Sequence, residues 1–518
     1  MRNREIRKRI MLRLVAGVTV FSMAFNLGCG KEKDQHKERT TVSVMTIEFN
    51  NGKSNTGEYA EEILKKIEDY CDCNLDITWV YNDAMSEKAS LALASPKTMP
   101  MIMTYGGTMT AEVVSAARDG LFLDLNDYIW DAEKYPNLSQ MMTSVAETLT
   151  VDGKLIAIPR TRAVGRYGLS YRKDWAEKLK LMEPTTPQLV YDMLFSFTYR
   201  DPDGNGIQDT IGLEMSSYTG AFDIIQTWFG CGNGWAEVED GLIPVHMQDE
   251  YLVALDYIKK LYDDGLMPKD WAARPTDTWS NGCKFGENGV FIDVLDSGRR
   301  IWDYFCAEET FTPSVVNPNE PASMVLYGAV NDRTLATSGY NGFFVLSSET
   351  CNTPEKIDAA LRLLDRLCDD EMLILTQYGL EGVNYKVEDG YIVRLDAADK
   401  DLAMNYAGFN QLLAYLPSSE HVTEPHVKNS ERVEAQNKAY AMAQEKAVIN
   451  PASTYLVNSP TYADVGASLQ ELIDNARTEY ICGEINKQEL LKVNERWLEL
   501  GGRLIIEEVN RMYEANKR

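Results

Sequence analysis

The chain has 518 residues, with 78 acidic against 52 basic side chains and a formal net charge of −26. That balance excludes nucleic acid and anionic lipid as partners, because both would repel it. Hydrophobic residues at 44% and aromatic residues at 10% exclude a disordered chain, and the length suits two or three ordinary domains.

The first 28 residues read as an export signal. Arg2, Arg4, Arg7, Lys8, Arg9 and Arg13 form a basic head, and Leu14 to Leu27 is an uncharged, mostly apolar stretch. A bilayer span needs about 20 apolar residues, so this core is too short to cross. Cys29 follows Gly28 and precedes a wholly polar run from Lys31 to Arg39. The arrangement resembles the lipobox of bacterial lipoproteins, in which the cysteine behind the cut receives palmitate-type acyl chains and becomes the N-terminus. It departs from that pattern at one place, since Asn26 stands where leucine is usual and Leu27 comes one later. An ordinary secretory signal with an incidental cysteine is the alternative. On the lipobox reading, residues 29–40 form a flexible tether and the chain is held at the extracytoplasmic face of the membrane.

The body begins at residue 41. Thr41 to Ile47 alternates as a strand, Tyr59 to Tyr70 has the apolar spacing of an amphipathic helix, and Leu75 to Tyr81 is a second strand. Met85 to Ala94 reads as a helix and Pro100 to Thr104 as a wholly apolar third strand, followed by a helix near 109–118. Strand and helix in alternation predict an open α/β sheet. Asp152-Gly153 is a hairpin signal leading into 154–159. Beyond about 165 the chain turns helix-rich, and from about 400 it reads as mostly helical. No Gly/Pro-rich linker divides the body, so two lobes would have to be joined by several chain crossings. Apart from Cys29 there are eight cysteines, with no dense framework spacing, and most read as buried thiols.

The sharpest local pattern is Asp201-Pro202-Asp203-Gly204-Asn205-Gly206-Ile207-Gln208-Asp209. Oxygen side chains fall at loop positions 1, 3, 5 and 9, glycine is at 6, and Ile207 offers its carbonyl at 7. This is the spacing by which a chain curls around Ca²⁺. The bidentate glutamate of a regulatory hand is missing, since position 12 is Gly212. Thr210 or Glu214 could complete the shell. A plain Asp/Asn/Gly turn uses the same residues. The helix before the loop is predicted over Pro187 to Tyr199, capped by Thr186 with proline at its first position.

The four histidines, His36, His246, His421 and His426, are scattered, and neither an HExxH metal motif nor a G-x-S-x-G elbow occurs. Catalysis is therefore not expected. A surface glycoside hydrolase or lyase stays open as the alternative, because acidic pairs abound. A sensory or adhesive lipoprotein is the other.

Several segments together resemble the extracellular solute-binding proteins of ABC transporters, in their carbohydrate-binding branch of lipoproteins. They are Asp152 to Pro159, Tyr171 to Leu179, Tyr251 to Pro268, Tyr378 to Tyr385, and Tyr480 to Gly483 with Trp497. The resemblance covers nearly the whole mature chain and is carried by the order of the segments. It implies an α/β, two-lobe, periplasmic-binding-protein-like fold with an interlobe cleft and a helix-rich second lobe. The first lobe is expected over about 41–160 and 290–345, the second over about 165–285 and 346–518. It also implies a structural calcium at the Asp201 loop, a carbohydrate ligand, and permease subunits of an ABC importer as partners. A sugar site needs aromatic platforms and a few polar groups. The expected platforms are Trp228 and Trp235 around a glycine-rich loop, Trp279 after a helix end, Tyr340 in a turn and Tyr105 at the end of an apolar strand. Trp302 is a further candidate, and Trp175 and Trp271 are assigned to packing.

Overall fold

A computed structural model describes residues 39–50, 52–396, 399–414 and 430–517. The export signal, Cys29 and most of the expected tether lie outside the described residues. Nine strands build two sheets: β1 Thr41–Glu48, β2 Asn74–Tyr81, β3 Ile102–Tyr105, β4 Ile158–Thr161, β5 Tyr167–Arg172, β6 Ile211–Leu213, β7 Asn288–Val294, β8 Met324–Tyr327 and β9 Tyr340–Leu346.

The first sheet has the order β2-β1-β3-β9-β4. β1 runs parallel to β2 and β3, and β9 runs antiparallel to β3 and β4. The parallel part follows from the sequence. β1 and β3 are mostly buried and apolar, β2 at the edge alternates polar and apolar residues, and helix Ala60–Cys71 carries the chain back while burying Ile63, Ile67 and Cys71. The Asp152-Gly153 turn closes a two-residue ladder, Thr150–Val151 with Lys154–Leu155, and the chain then leaves into β4. The core of this lobe also takes in Ile357 to Leu375 and Tyr406 to Ala414.

The second sheet has the order β8-β5-β7-β6, with β7 antiparallel to β5 and parallel to β6. Helices Pro187–Tyr199, Gly220–Thr227 and Asp249–Asp263 pack on it. Four long helices, Glu431–Lys446, Pro460–Cys482, Lys487–Trp497 and Arg503–Asn516, make the carboxyl-terminal part of the described chain.

Two expected boundaries move. The strand that opens the 290–345 segment is β7, and it belongs to the second sheet. Residues 357–414 pack into the first core, not the second. A strand buried on both faces carries no mark of which sheet it joins. The second lobe is helix-rich as expected, and β5 to β8 form the sheet within it.

Two described segments, 162–166 and 336–339, cross between the sheets, and the described chain also ends its course in the first core at Ala414 and is next seen in helix Glu431–Lys446, packed in the second lobe. The two crossings brace one another. Arg162 N–H donates to the Gly339 carbonyl at 2.8 Å and Thr337 N–H to that of Val164 at 2.9 Å. Thr161 N–H donates to the Ala414 carbonyl at 2.9 Å. Gly165 N–H donates to Gln444 Oε1 at 2.9 Å, and a Cβ on Gly165 would run into the backbone of Ala443 and Gln444. Glycine is required here by close approach. None of the eight described cysteines forms a disulfide. No helix among the described residues is long and apolar enough to cross a membrane.

Candidate ligand cleft

The crossings fix where a cleft must lie. β4 ends at Thr161, β9 begins at Tyr340, and the 408–414 segment passes Thr161, so both crossings and this segment meet the first sheet at one edge. The carboxyl ends of β1 and β3 lie on that same edge, because β4 runs parallel to them across β9. On the second sheet, β5 starts at Tyr167 directly after a crossing, paired with Val294 at the end of β7. Strand ends at a break in sheet order are where open α/β proteins hold ligands.

The first wall is a cavity of about 330 Å³ lined by Phe49, Asn50, Thr376, Tyr406, Gly408, Asn410 and Gln411 among others. Phe49 follows β1 and is 57% exposed, an unusual state for a phenylalanine at the end of a core strand. The amides are partly committed. Asn50 Nδ2 donates to Ser54 Oγ at 2.8 Å and Gln411 Nε2 to Asn410 Oδ1 at 3.1 Å. Gln411 Oε1 is buried with no hydrogen-bond donor among the described residues. Tyr406 is fixed by donating its hydroxyl to Asp396 at 2.9 Å. Beside this cavity's strand, Tyr105 stacks on Phe343 with ring centroids 5.3 Å apart, and its buried hydroxyl also has no partner among the described residues.

The second wall carries charge. Asp296 accepts both Arg166 Nε, at 2.9 Å, and Arg166 Nη2, at 3.0 Å, and also the Tyr440 hydroxyl at 2.9 Å. Arg300 reaches the same carboxylate at 3.0 Å. Asp293, near the end of β7, is 7% exposed. Its Oδ1 takes the Val294 N–H at 2.8 Å. Burial pushes its carboxyl up to about 6, with Asp296 adding to the rise. Tyr167 and Tyr218 lie close enough to Asp293 to feel its charge.

The expected platforms divide. Tyr105 lies on the cleft edge. Trp279 is half-buried beside Phe291, with centroids 5.0 Å apart, in the second lobe. The others are corrections. Trp228 is 1% exposed inside the second core, because the residues around the glycine-rich loop fold back over it. Trp235 faces the carboxyl-terminal helices, packed with Leu469, Trp497 and Val509. Tyr340 packs edge-on against Phe343 in the first core, and Trp302 is buried near Phe305 and Ile301. Trp175 and Trp271 are packing residues, as expected. Phe49, Asn410, Gln411 and Asp293 were missed. The available signal was an aromatic residue and two asparagines directly behind β1.

The Asp201 loop is exposed and curls inward. Asn205 Nδ2 donates to Asp203 Oδ2 at 2.7 Å and to both Asp209 oxygens at 3.2 Å. Asp201 takes the N–H of Gly204 at 2.9 Å and of Gly206 at 3.2 Å. Desolvation and then the neighbouring Asp201 carboxyl raise Asp203. Among the described residues no three His, Cys, Asp or Glu side chains are grouped as a metal site, and in this loop an amide nitrogen stands between the carboxylates. Thr210 and Glu214 do not join the loop. Thr210 donates to the Phe197 carbonyl at 2.7 Å, and Glu214 accepts the Cys283 N–H at 2.8 Å.

No protein-family model matches the chain. Over 459 residues it is 30% identical to lipoprotein LipO of Bacillus subtilis (strain 168), covering 88% of this chain and 89% of LipO. It is 29% identical to the polygalacturonan/rhamnogalacturonan-binding protein YtcQ of the same organism, over 88% and 89% of the two chains. The fold matches an HMO-binding, ABC-transporter-associated solute-binding protein of Bifidobacterium longum infantis, with a TM-score of 0.67, 21% identity, and coverage of 92% and 99%. This chain belongs to the extracellular solute-binding lipoproteins of ABC transporters. Its two-lobe α/β architecture is theirs. The binding protein also shares its fold with the ABC-transporter substrate-binding protein FusA of Streptococcus pneumoniae, solved as an EF-hand mutant in complex with fructo-nystose. That match has a TM-score of 0.64, 17% identity and coverage of 92% and 99%.

Proposed function

We propose that this protein captures an oligosaccharide outside the membrane and hands it to the permease of an ABC importer, without a covalent step. The observation that carries the reading is the placement of an aromatic and amide-lined cavity at the edge where both crossings meet the first sheet. Phe49 supplies a face for a sugar ring, while Asn410, Gln411 and Asn50 supply donors and acceptors for hydroxyls. Trp279 and Tyr105 add platforms, and hinge bending at 162–166 and 336–339 brings the walls together. Support comes from relatives named as binding proteins, one for polygalacturonan/rhamnogalacturonan.

Cys29 would carry the acyl anchor and residues 29–40 the tether. The Asp201 loop would hold a calcium ion through Asp201, Asp203, Asn205 and Asp209 side chains and the Ile207 carbonyl. The donor set fits, because hard oxygen ligands already converge on one polar hydrogen-bearing group. Bound there, the ion would supply structural charge neutralisation between helix Pro187–Tyr199 and β6. Mass spectrometry of sugars released from the purified protein, with a thermal-shift screen of oligosaccharides, tests the reading. Ligand-dependent melting without turnover supports it. Release of new reducing ends from polysaccharide would replace it with a hydrolase or lyase.

A further inference from the structure

We infer that the first lobe carries a second carbohydrate site, sized for one sugar ring, in which Trp79 offers the stacking face and the Asn55 amide grips a pair of neighbouring hydroxyls. It shares no lining residue with the cavity of the oligosaccharide reading and stands or falls apart from it.

The site is a cavity of about 200 Å³ lined by edge strand β2, the first turns of helix Ala60–Cys71 and Phe409. Pockets that take drug-sized ligands hold roughly 300–1,000 Å³, so this one suits a single ring rather than a chain. β2 turns Leu75, Ile77 and Trp79 to one face, because alternate residues of a strand share a side, and all three are half-buried. Leu64 of the helix extends the apolar wall. Phe409 is 1% exposed and meets Trp79 edge-on, with ring centroids 6.4 Å apart, which holds the indole in place. Gly408 permits this approach, since a Cβ there would lie 3.2 Å from Trp79 Cη2 and 2.7 Å from Ser54 Cβ.

Against that wall stands one carboxamide. Asn55 Nδ2 and Oδ1 are both buried, and neither has a hydrogen-bond partner among the described residues. The Asn55 N–H donates to the Ala407 carbonyl at 3.1 Å, which ties its backbone to the segment that carries Phe409. A buried donor and acceptor left unmade destabilise a fold, so a pair of them in a cavity wall calls for a ligand that answers both. Neighbouring hydroxyls of a sugar ring do so: one donates to Oδ1, and the oxygen of the next accepts from Nδ2. The C–H face of the same ring then covers Trp79. A trans peptide group points its N–H and C=O in opposite directions and cannot meet both amide atoms at once. An apolar ligand would satisfy the wall and leave the amide unmade. Glu61, exposed at the rim, accepts a further hydroxyl.

Asn55 has a competing reason to be asparagine. Its φ is 54°, in the left-handed region that asparagine tolerates better than most side chains. Substitution separates the two reasons, because Asn55→Gly keeps that backbone and deletes the amide.

The test is saturation-transfer NMR with titration of the mature protein against the methyl glycosides of glucose, galactose, mannose and xylose. The expected result is that at least one glycoside binds at millimolar concentration. Its affinity falls about tenfold or more in Trp79→Ala and in Asn55→Gly, and Phe49→Ala leaves it unchanged. A glycoside that depends on Phe49 and ignores Trp79 and Asn55 sits in the other cavity. That overturns the inference and leaves the oligosaccharide reading standing. An affinity unchanged in a folded Asn55→Gly means that asparagine serves the backbone alone, and it overturns the inference too, as does the failure of every glycoside to bind. Should either variant not fold, deoxy analogues of the bound glycoside decide on the wild type. Removing either hydroxyl of the gripped pair should weaken binding about tenfold, and a full set of single deoxy analogues that bind like the parent overturns the proposal.

Discussion

Glu214 shows how burial changes the job of a carboxylate. In the sequence it stands where a calcium shell could use it. In the fold it is 5% exposed behind β6, facing the start of helix Asn281–Phe285, where it accepts the Cys283 N–H. Burial pushes its carboxyl up to about 7, opposed by that hydrogen bond and by Arg274. The folded pKa lies above that of the unfolded chain, roughly 4.3. The stability it contributes is therefore complete below about pH 4 and is lost as pH rises through about 7. Glu214→Gln keeps an acceptor for Cys283 and removes the ionisation. Melting at pH 4 should hardly change, whereas at pH 8 the variant should gain about 3–4 kcal/mol. An equal shift at both pH values would show that the glutamate's charge is not what matters. Phe49 is the matching case for binding. Phe49→Ala should weaken a bound oligosaccharide about tenfold, since ring stacking adds about 0.5–1.5 kcal/mol to the area it buries. Trp279→Ala should weaken it as well, and Trp228→Ala should lower stability first. Calorimetry beside thermal melting separates the three. The tryptophans were the visible choices in the sequence because size and neighbouring glycines suggested exposure. Whether a flat side chain faces solvent depends on distant elements that fold over it, as the second core does for Trp228 and the carboxyl-terminal helices do for Trp235.

At the scale of elements, the local signals read well and the long-range ones did not. β1, β2, helix Ala60–Cys71 and helix Pro187–Tyr199 lie where their periodicity and capping put them. Thr186 accepts the Leu189 N–H at 3.3 Å as the cap requires. The membership of β7 and of residues 357–414 was not legible, since partners far apart in the sequence leave no local trace. The Asp201 loop is local, and it yields an element-scale prediction. It joins helix Pro187–Tyr199 to β6, and its carboxylates crowd around the Asn205 amide. A calcium ion entering there would relieve their repulsion and tie the helix to the sheet. Calcium at about a hundred times its dissociation constant should therefore stabilise the protein by about 2.7 kcal/mol, with chelator reversing the gain. Asp203→Ala should melt at the same temperature with and without calcium. A wild type whose melting ignores calcium would reduce the loop to a polar turn.

For the whole molecule, the decisive property is that two lobes hang on crossings tied to one another. β4 and β9 are tied at Arg162–Gly339 and Val164–Thr337, and Gly165 lies directly against helix Glu431–Lys446 at Gln444. Bending at one crossing is therefore coupled to the other, and Asn458 adds a further tie by bonding Arg118, Thr150 and Asp152 of the first lobe. Each lobe keeps its own core through the motion. A sugar that touches Phe49 and Gln411 on one lobe and Trp279 on the other gains contacts only when the walls approach. Its differential affinity for the closed form then drives closure. The body from Thr40 onward should have a radius of gyration of about 23 Å or somewhat more. Small-angle X-ray scattering at saturating oligosaccharide should show a fall of about 1 Å, with the secondary structure by circular dichroism unchanged. Gly165→Ala forces a methyl group into the backbone at Ala443–Gln444 and should shift the hinge itself. That variant should lose both the compaction and most of the affinity, though Phe49 and Gln411 are untouched. Scattering that stays the same at a ligand concentration where calorimetry shows saturation would mean that the sugar binds to one lobe alone.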